Sequence, residues 1–297
     1  MIELEPIETP ALTSIPSSRR EWTALMSRLG IRPNKGLGQN FLYERGIVQR
    51  MVRTAKISRD DHLVEVGPGL GILTDELLLR AASVTAVEVD RNLAAHLRNQ
   101  FGAYERFTLV EGDALRVDFA TFLEPDQAYK VAANLPYGIA AAVIRRLLEL
   151  PHPPVQLTVM LQLEVAERLT AEPPNMTILS VATQFYAEPR VAFQVPPTVF
   201  IPPPKVESAV AILDVQATPP LPPDDRPAFF RIVNAGFRQK RKQVANSIAA
   251  ELDLPKTDVS VWLESADIDP MRRAQTLTVA EWVRLTQTAS AEVREIL

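Results

Sequence analysis

The chain has 297 residues, enough for one large α/β domain and a small second one, and its composition, 46% hydrophobic and 23% charged, is ordinary for a soluble globular protein. It has no cysteine, which excludes disulfides, thiolate nucleophiles and zinc–thiolate sites, and its three histidines argue against a metal site. The net charge of -4 argues weakly against a nucleic-acid partner, although screening lets a local basic patch act by itself. No apolar run is long enough for a membrane span, and the acidic N-terminus lacks a secretory signal, so we expect a cytoplasmic protein.

The first 33 residues are predicted to be an extension before the main fold, with a short helix around EWTALMSRLG. From Lys35 onward, short apolar runs rich in β-forming residues alternate with helix-like segments. The runs are HLVEVG, VTAVEVD, FTLVEGD, YKVAANLPY and VQLTVML, and the segments between them include ILTDELLLRAA, RNLAAHLRNQF and AAVIRRLLEL. This alternation predicts a parallel sheet covered by helices on both faces, which makes the fold class α/β.

Two further strands are predicted in AFQVPP and ESAVAILDV, and the proline-rich stretch ATPPLPPDDRP that follows is typical of a linker. Four helical segments come after it, PAFFRIVNAGF, KQVANSIAAEL, DVSVWLESA and VAEWVRLTQTA. We therefore expect an N-terminal extension at residues 1–33, an α/β domain at residues 34–215 and a small all-helical domain at residues 216–297.

The first predicted strand runs into a glycine-rich turn that contains Gly67, Gly69 and Gly71 and precedes a helix. Such a turn lets a ligand approach the backbone closely, next to the exposed N–H groups of the helix N-terminus. A dinucleotide fingerprint, G-x-G-x-x-G, would place its third glycine at Ile72, whereas the spacing here is G-x-G-x-G. The pattern disfavours a nicotinamide cofactor and favours a nucleoside cofactor without a pyrophosphate.

Acidic residues end the next two predicted strands. Glu88 follows Gly67 by 21 residues, where a carboxylate can accept hydrogen bonds from both hydroxyls of a ribose. Asp113, in EGDAL, could accept a hydrogen bond from the exocyclic amine of a cofactor adenine. Either acid alone could equally cap a helix, but the turn and both acids converge on the carboxyl edge of the sheet, where open α/β sheets bind ligands. The combination indicates S-adenosylmethionine.

The motif NLPY ends the fourth predicted strand beside the same crevice. The side-chain oxygen of Asn134 and the main-chain carbonyl of Leu135 could accept both hydrogens of an adenine amine, and Pro136 would stiffen the turn. Tyr137 could stack on the base, a contact worth on the order of 1–3 kcal/mol. The alternative is a turn with an incidental tyrosine.

Two other features have open interpretations. Phe200, before a stiff proline turn, could cover the second face of the base or could be a core residue. The segment FRQKRKQ has four cations in five residues, Arg238, Lys240, Arg241 and Lys242, and is either an RNA-backbone contact or a solvated helix face.

Taken together, these motifs resemble the small-subunit ribosomal RNA adenine dimethyltransferases, which modify two adjacent adenosines in the 3′-terminal hairpin. The likeness covers nearly the whole chain from Lys35. The blocks that carry it are KGLGQNFL, VEVGPGLGILT, AVEVD, EGDAL, NLPY, FIPPPKVESAV and FRQKRKQVANS. The glycine turn alone is shared by many methyltransferases, whereas KGLGQNFL, NLPY and FIPPPKVES together are specific.

The resemblance implies a Rossmann-like methyltransferase sheet with a C-terminal antiparallel hairpin, and a set of site residues. Asn40 and Leu42 are expected at the cofactor, and the predicted cofactor set also contains Gly67, Gly69, Glu88, Asp113, Ala114 and Asn134. Tyr137 and Phe200 are the expected base-stacking pair. Residues 238–242 are expected at the RNA backbone. The expected partner is small-subunit rRNA within a pre-30S particle. The protein is expected to bind this RNA as a monomer and to have a role in ribosome assembly.

One departure from the family pattern follows NLPY, where relatives usually have Asn-Ile and then Ser or Thr, and this chain has GIAA. Glycine is an acceptable N-cap, so we expect a modest effect. The extension before Lys35 is also longer than usual. Three alternatives remain at this stage: a large-subunit rRNA methyltransferase of the antibiotic-resistance type, a non-catalytic ribosome-assembly factor, and a nicotinamide oxidoreductase.

Overall fold

The computed structural model describes residues 15–33, 38–124 and 127–296. Residues 1–14 of the predicted extension, and residues 35–37 at the start of the KGLGQNFL motif, lie outside the described residues. Helix α1 (Arg19–Arg28) occupies the position predicted from EWTALMSRLG.

The remaining elements, in chain order along the described residues, alternate as the apolar pattern predicts. The strands are β1 (Phe41–Leu42), β2 (His62–Val66), β3 (Ser83–Glu88), β4 (Phe107–Glu111), β5 (Tyr129–Asn134), β6 (Gln156–Gln162), β7 (Ala187–Val195), β8 (Phe200–Ile201) and β9 (Ser208–Val215). The helices are α2 (Arg45–Thr54), α3 (Ile72–Leu78), α4 (Arg91–Phe101), α5 (Ala140–Leu148), α6 (Leu163–Leu169), α7 (Ile178–Gln184), α8 (Arg226–Phe237), α9 (Val244–Leu252), α10 (Lys256–Ser265), α11 (Val279–Gln287) and α12 (Ala291–Ile296).

The large sheet has seven strands in the order β4-β3-β2-β5-β6-β9-β7. β2 pairs in parallel with both β3 and β5, and β3 pairs in parallel with β4. An antiparallel hairpin completes the sheet, which confirms the predicted α/β architecture. A second, two-stranded antiparallel ladder joins β1 to β8 and was not predicted.

The pairing of the central strands aligns their carboxyl ends along one edge. Val66 of β2 lies opposite Val87 of β3, and Glu88 of β3 lies opposite Glu111 of β4. Leu63, Val64 and Val66 in β2, like Val84, Ala86 and Val87 in β3, are buried, as expected for parallel strands covered on both faces. The residues that follow these strands are therefore brought close together, and this edge carries the candidate site.

Several helix boundaries differ from the sequence prediction. α3 ends at Leu78 although the predicted segment continues to residue 82, and α2, α6 and α7 were not predicted. α5 begins at Ala140, inside the GIAA segment. α9 begins at Val244, so the basic segment at residues 238–242 lies in the turn that joins α8 to α9, and its interpretation as a helix face is wrong.

Contacts divide the described residues into two compact units. Unit 1 contains the residues up to Ala140 together with Thr158–Leu161 and Phe193–Val210, and unit 2 contains Ala141–Leu157, Gln162–Ala192 and the residues from Ala211 onward. Helices α8 to α11 belong to unit 2, which agrees with a helical C-terminal part. The predicted boundaries at residues 33 and 215 stay predictions. Within the described residues, no helix combines the length and apolarity that a membrane crossing requires.

Glycine at position 236 explains how α8 approaches α11 inside unit 2. Trp282 is completely buried, and a Cβ atom at Gly236 would overlap its ring. Gly236→Ala is therefore expected to lower the free energy of unfolding by about 1–3 kcal/mol, measured by chemical denaturation. Gly46→Ala in α2 is the matched control, since the added carbon has no neighbour closer than 3.7 Å and alanine favours the helix. Equal stability of the two variants would contradict this packing.

Candidate active site

The turn between β2 and α3 exposes main chain where side chains would not fit. Gly67, Gly69 and Gly71 have φ angles of 68°, 60° and 87°, in the left-handed region that favours glycine. A Cβ atom at Gly71 would lie 2.5 Å from a ring carbon of Phe101, and one at Gly69 would lie 3.3 Å from the Phe41 ring. The turn therefore keeps its backbone open to the cavity beside it.

Glu88, the last residue of β3, holds this turn from the neighbouring strand. It is buried, and its Oε2 accepts a hydrogen bond from the Gly69 N–H (3.2 Å) while its Oε1 accepts one from the Asp90 N–H (2.9 Å). Burial raises the pKa of the Glu88 carboxyl, and the two main-chain donors oppose that rise. A carboxylate oxygen has more than one lone pair, so both oxygens can accept a further donor such as a ribose hydroxyl.

A second buried acid, Glu65 of β2, lines the same cavity and was missed in the sequence. Only 1% of it is exposed, and its Oε2 accepts a hydrogen bond from the Thr74 hydroxyl (2.7 Å). Burial raises the pKa of Glu65 to about 8, the Thr74 hydroxyl opposes this, and the Glu88 carboxylate adds to it. The available signal was a glutamate inside an otherwise apolar strand, immediately before the glycine turn.

The loop after β4 places Asp113 and Ala114 at the cavity wall. Asp113 Oδ1 accepts a hydrogen bond from the Leu115 N–H (2.9 Å), and its Oδ2 lies 3.7 Å from Nε of Arg116. Ala114 is buried and contributes apolar surface. The carboxylate of Asp113 therefore stands at the third strand end, where the sequence predicts it.

The NLPY turn presents two hydrogen-bond acceptors at the cavity. Asn134 Nδ2 donates to the main-chain carbonyl of Asn40 (3.5 Å), which turns the amide oxygen away from that contact. The Leu135 N–H donates to the Met160 carbonyl (3.0 Å), so β6 fixes the peptide on which the acceptors stand. No described residue donates a hydrogen bond to the Asn134 side-chain oxygen or to the Leu135 carbonyl. Both can therefore accept from a ligand.

The Tyr137 ring is held by a buried serine. Its hydroxyl lies 2.7 Å from Oγ of Ser208, the first residue of β9, which is completely buried. Burial raises the pKa of the Tyr137 hydroxyl, and the Ser208 hydrogen bond opposes that rise. The backbone of Gly38 lies near the main chain of this turn, because a Cβ at Gly38 would be 3.8 Å from the main-chain nitrogen of Tyr137. The Tyr137–Ser208 hydrogen bond joins the NLPY motif to the FIPPPKVES block, and the sequence analysis did not predict it.

The surroundings of the predicted base-stacking residue Phe200 differ from those of the predicted cofactor contacts Asn40 and Leu42. Asn40 and Leu42 line the cavity, as the resemblance implies. Phe200 pairs with Leu42 but is completely buried and is not part of the cavity wall. Contact between the Phe200 ring and a base therefore requires this ladder to move.

One cavity of about 390 Å³ within unit 1, a size typical of small-molecule sites, is lined by most of the predicted site residues: Asn40, Leu42, Gly67, Gly69, Glu88, Asp113, Ala114, Asn134, Leu135, Pro136 and Tyr137. Apolar residues from α2, α3, β3 and the position after β3 complete its wall: Val48, Met51, Ile72, Leu73, Val87 and Val89. The cavity thus combines an open glycine backbone, acids at consecutive strand ends and an amide-bearing turn.

The four predicted RNA-contact residues, Arg238, Lys240, Arg241 and Lys242, belong to unit 2. All are exposed in the α8–α9 turn. Arg238 Nε lies 3.5 Å from Oε2 of Glu251, a surface pair of small energetic weight. The turn therefore presents a dense positive charge to solvent.

The chain is similar to known ribosomal RNA methyltransferases over most of its length. A family model described as ribosomal RNA adenine dimethylase matches residues 30–290. The ribosomal RNA small subunit methyltransferase A of Dehalococcoides mccartyi is 38% identical over 275 residues, which cover 93% of this chain and 94% of that protein. The protein of the same name from Moorella thermoacetica is 40% identical over 275 residues, covering 89% of this chain and 95% of the relative.

Two solved structures are also similar. The 23S rRNA methyltransferase ErmE is 28% identical, with a TM-score of 0.67, covering 84% of this chain and 99% of that one. A dimethyladenosine transferase from Plasmodium falciparum is 24% identical, with a TM-score of 0.71, covering 82% of this chain and 95% of that one, and supports the fold alone.

The raised pKa of Glu65 predicts a pH-dependent stability. Because its pKa is about 8 in the folded chain and 4.5 ordinarily, the unfolded chain ionises first, and rising pH destabilises the folded state between these values. Relative to Glu65→Gln, the wild type should lose about 1.4 kcal/mol of unfolding free energy per pH unit in this window. Denaturation at several pH values checks this, with exposed Glu105→Gln as control; a pH-independent difference for Glu65→Gln would contradict it.

Proposed function

Because the chain belongs to the ribosomal RNA adenine dimethylase family, we propose that it methylates small-subunit ribosomal RNA. The proposed reaction transfers methyl groups from S-adenosylmethionine to the N6 amines of two adjacent adenosines in the 3′-terminal hairpin loop, giving N6,N6-dimethyladenosine. The observation that carries this proposal is the pair of available acceptors, the Asn134 side-chain oxygen and the Leu135 carbonyl, beside the Tyr137 ring.

The residues around the cavity fit the proposed cofactor. A Cβ atom at Gly69 would crowd the Phe41 ring, so the glycine leaves room for close approach to the backbone. Glu88 would hold the ribose hydroxyls and Asp113 the adenine amine, while Asn40, Leu42, Gly67, Ala114 and Asn134 complete the set. When bound, S-adenosylmethionine supplies an electrophilic methyl group on a positively charged sulfur.

The NLPY turn would orient the target amine. The lone pair of an adenine N6 amine is delocalised into the ring, so the free amine is a poor nucleophile. If the Asn134 oxygen and the Leu135 carbonyl accept both amine hydrogens, the nitrogen moves toward tetrahedral geometry and its lone pair becomes available. Pro136 restricts the turn, and the Leu135–Met160 hydrogen bond fixes it to β6. The rate then comes mainly from alignment of the amine with the methyl group.

Tyr137 would hold the target base once it has left the RNA stack. Its ring supplies a stacking surface worth on the order of 1–3 kcal/mol, which offsets much of the cost of unstacking. The Ser208 hydroxyl, 2.7 Å from the Tyr137 oxygen, restricts the ring before RNA arrives. No general base is needed, because the amine proton can leave to water after methyl transfer.

The proposed contact with RNA depends on the positive charge of the α8–α9 turn. Residues 238–242 form a dense basic turn in unit 2, and phosphate contacts supply most sequence-independent RNA affinity. We propose that a cytoplasmic monomer binds rRNA within a pre-30S particle and that this binding contributes to small-subunit assembly.

The large-subunit alternative has weaker support. Relatives named for the small subunit are 38–40% identical over about nine tenths of this chain, whereas the 23S rRNA methyltransferase structure is 28% identical. Labelled S-adenosylmethionine, incubated with unmethylated small and large subunits, tests the choice. We expect label in two adjacent adenosines near the 3′ end of the small-subunit RNA; label confined to the large subunit, or none, would overturn the proposal.

Asn134→Ala is expected to lower kcat for methyl transfer by roughly 10- to 100-fold, since the amine loses one of its two acceptors. Cofactor affinity should fall less, because the glycine turn, Glu88 and Asp113 remain. The measurement is single-turnover methyl transfer, with calorimetric cofactor binding alongside. Asn99→Ala, an exposed asparagine on α4, is the matched control. An Asn134→Ala enzyme with wild-type kcat would contradict the acceptor role.

Tyr137→Ala should reduce kcat/KM for RNA by roughly 10- to 100-fold through loss of stacking. Tyr137→Phe keeps the ring but loses the Ser208 contact, so its effect should be smaller and should equal that of Ser208→Ala. The double variant Tyr137→Phe/Ser208→Ala should then resemble either single variant, because both remove the same hydrogen bond. Additive losses would show that the serine acts by some other route.

A further inference from the structure

Helix α1 in the N-terminal extension has a strongly basic exposed face, and none of its residues has a role in the proposed function. Between residues 15 and 33 the chain carries four arginines, all exposed, and one glutamate, in a protein whose net charge is -4. Arg19, Arg20 and Arg28 lie on α1 itself, and no described carboxylate forms an ion pair with them. Arg19 and Arg20 stand in the first turn, where positive charge disfavours a helix, so helix formation does not account for them.

The opposite face of α1 fixes the helix to unit 1. Trp22 is completely buried, and Leu25 and Met26 are nearly so. The single acid on the helix, Glu21, is occupied at the N-terminus, where its Oε2 accepts a hydrogen bond from the Ser17 N–H (2.7 Å). The helix is thus a docked element with a basic outer surface.

The outer surface of α1 carries small residues beside its arginines. Thr23, Ala24 and Ser27 are exposed on α1 next to Arg19 and Arg20. Small residues let a strand approach the helix, and flanking guanidinium groups offer paired donors to phosphate oxygens.

The charge of Arg28, at the C-terminal end of α1, acts on His96 of α4. The ring of His96, on α4, hydrogen-bonds the carbonyl of Leu70, which lines the candidate cavity. Burial lowers the pKa of His96, and the neighbouring Arg28 guanidinium lowers it further. The basic face of α1 and the candidate cavity both belong to unit 1.

We propose that the exposed face of α1 is a second RNA-contact surface, at which Arg19, Arg20 and Arg28 bind phosphates of the substrate RNA. This inference rests on the proposed function, because it takes the RNA to be the methylation substrate. It adds a contact within unit 1 to the basic turn of unit 2. The contact is to the RNA backbone and carries no sequence specificity.

The test compares Arg19→Gln/Arg20→Gln/Arg28→Gln with a matched triple, Arg53→Gln/Arg59→Gln/Arg91→Gln, which neutralises exposed arginines elsewhere in unit 1. Affinity for a protein-free transcript of the small-subunit rRNA 3′ end, and for unmethylated small subunits, is measured over a series of salt concentrations. Each lost phosphate contact should reduce the slope of log K against log salt by roughly 0.7–0.9, so the α1 triple should lower it by about 2 and weaken binding ~10-fold or more at low salt. Cofactor affinity and melting temperature should not change.

The outcomes separate this inference from the proposed function. If the wild type transfers no methyl group to RNA, the proposed function fails. If the wild type methylates RNA and the α1 triple keeps the wild-type salt slope, or if the control triple loses as much, only the inference fails. Weaker binding to subunits with unchanged binding to the transcript would also overturn it, because α1 would then contact a ribosomal protein.

Discussion

The parallel pairing of β2 with β3 and β5, and of β3 with β4, is the constraint on which the site depends. It aligns four strand ends so that the glycine turn, Glu88, Asp113 and Asn134 lie at one edge of the sheet. Residues separated by up to 67 positions in the chain thus meet around one cavity. A change of register by one residue would reverse the facing of every side chain in the strand.

Hydrogen bonds then hold in place the loops that extend from this edge of the sheet. Glu88 accepts from the Gly69 N–H, Thr74 donates to Glu65, and Met160 accepts from the Leu135 N–H. Burial raises the pKa of both acids, and the hydrogen bonds from Thr74 and Gly69 oppose that rise. A cavity of this kind is costly to build and suits a ligand that supplies hydrogen-bond donors, as a nucleoside does.

The sequence predicted the α/β class, the central strands and most of the cavity because these depend on local patterns: apolar runs, a glycine spacing, and acids at strand ends. It did not predict Ser208, which meets Tyr137 across 71 residues, or Glu65, whose importance follows from burial. It also missed the two-residue β1–β8 ladder, too short for any periodicity, and it left open whether Phe200 is a core residue, which the structure shows it to be. Contacts between distant segments are fixed by tertiary packing, which a local pattern does not encode.

The proposed function depends on one geometry, in which the Asn134 side-chain oxygen and the Leu135 carbonyl would hold an adenine amine between them. The most direct measurement is a crystal structure of the protein with an RNA hairpin containing the target adenosines and a cofactor analogue that cannot transfer its methyl group. We expect the amine nitrogen to lie about 2.7–3.2 Å from both oxygens, with the base against the Tyr137 ring. A target amine that instead contacts the carboxylate of Glu65 or Asp113, with the NLPY turn unoccupied, would contradict it.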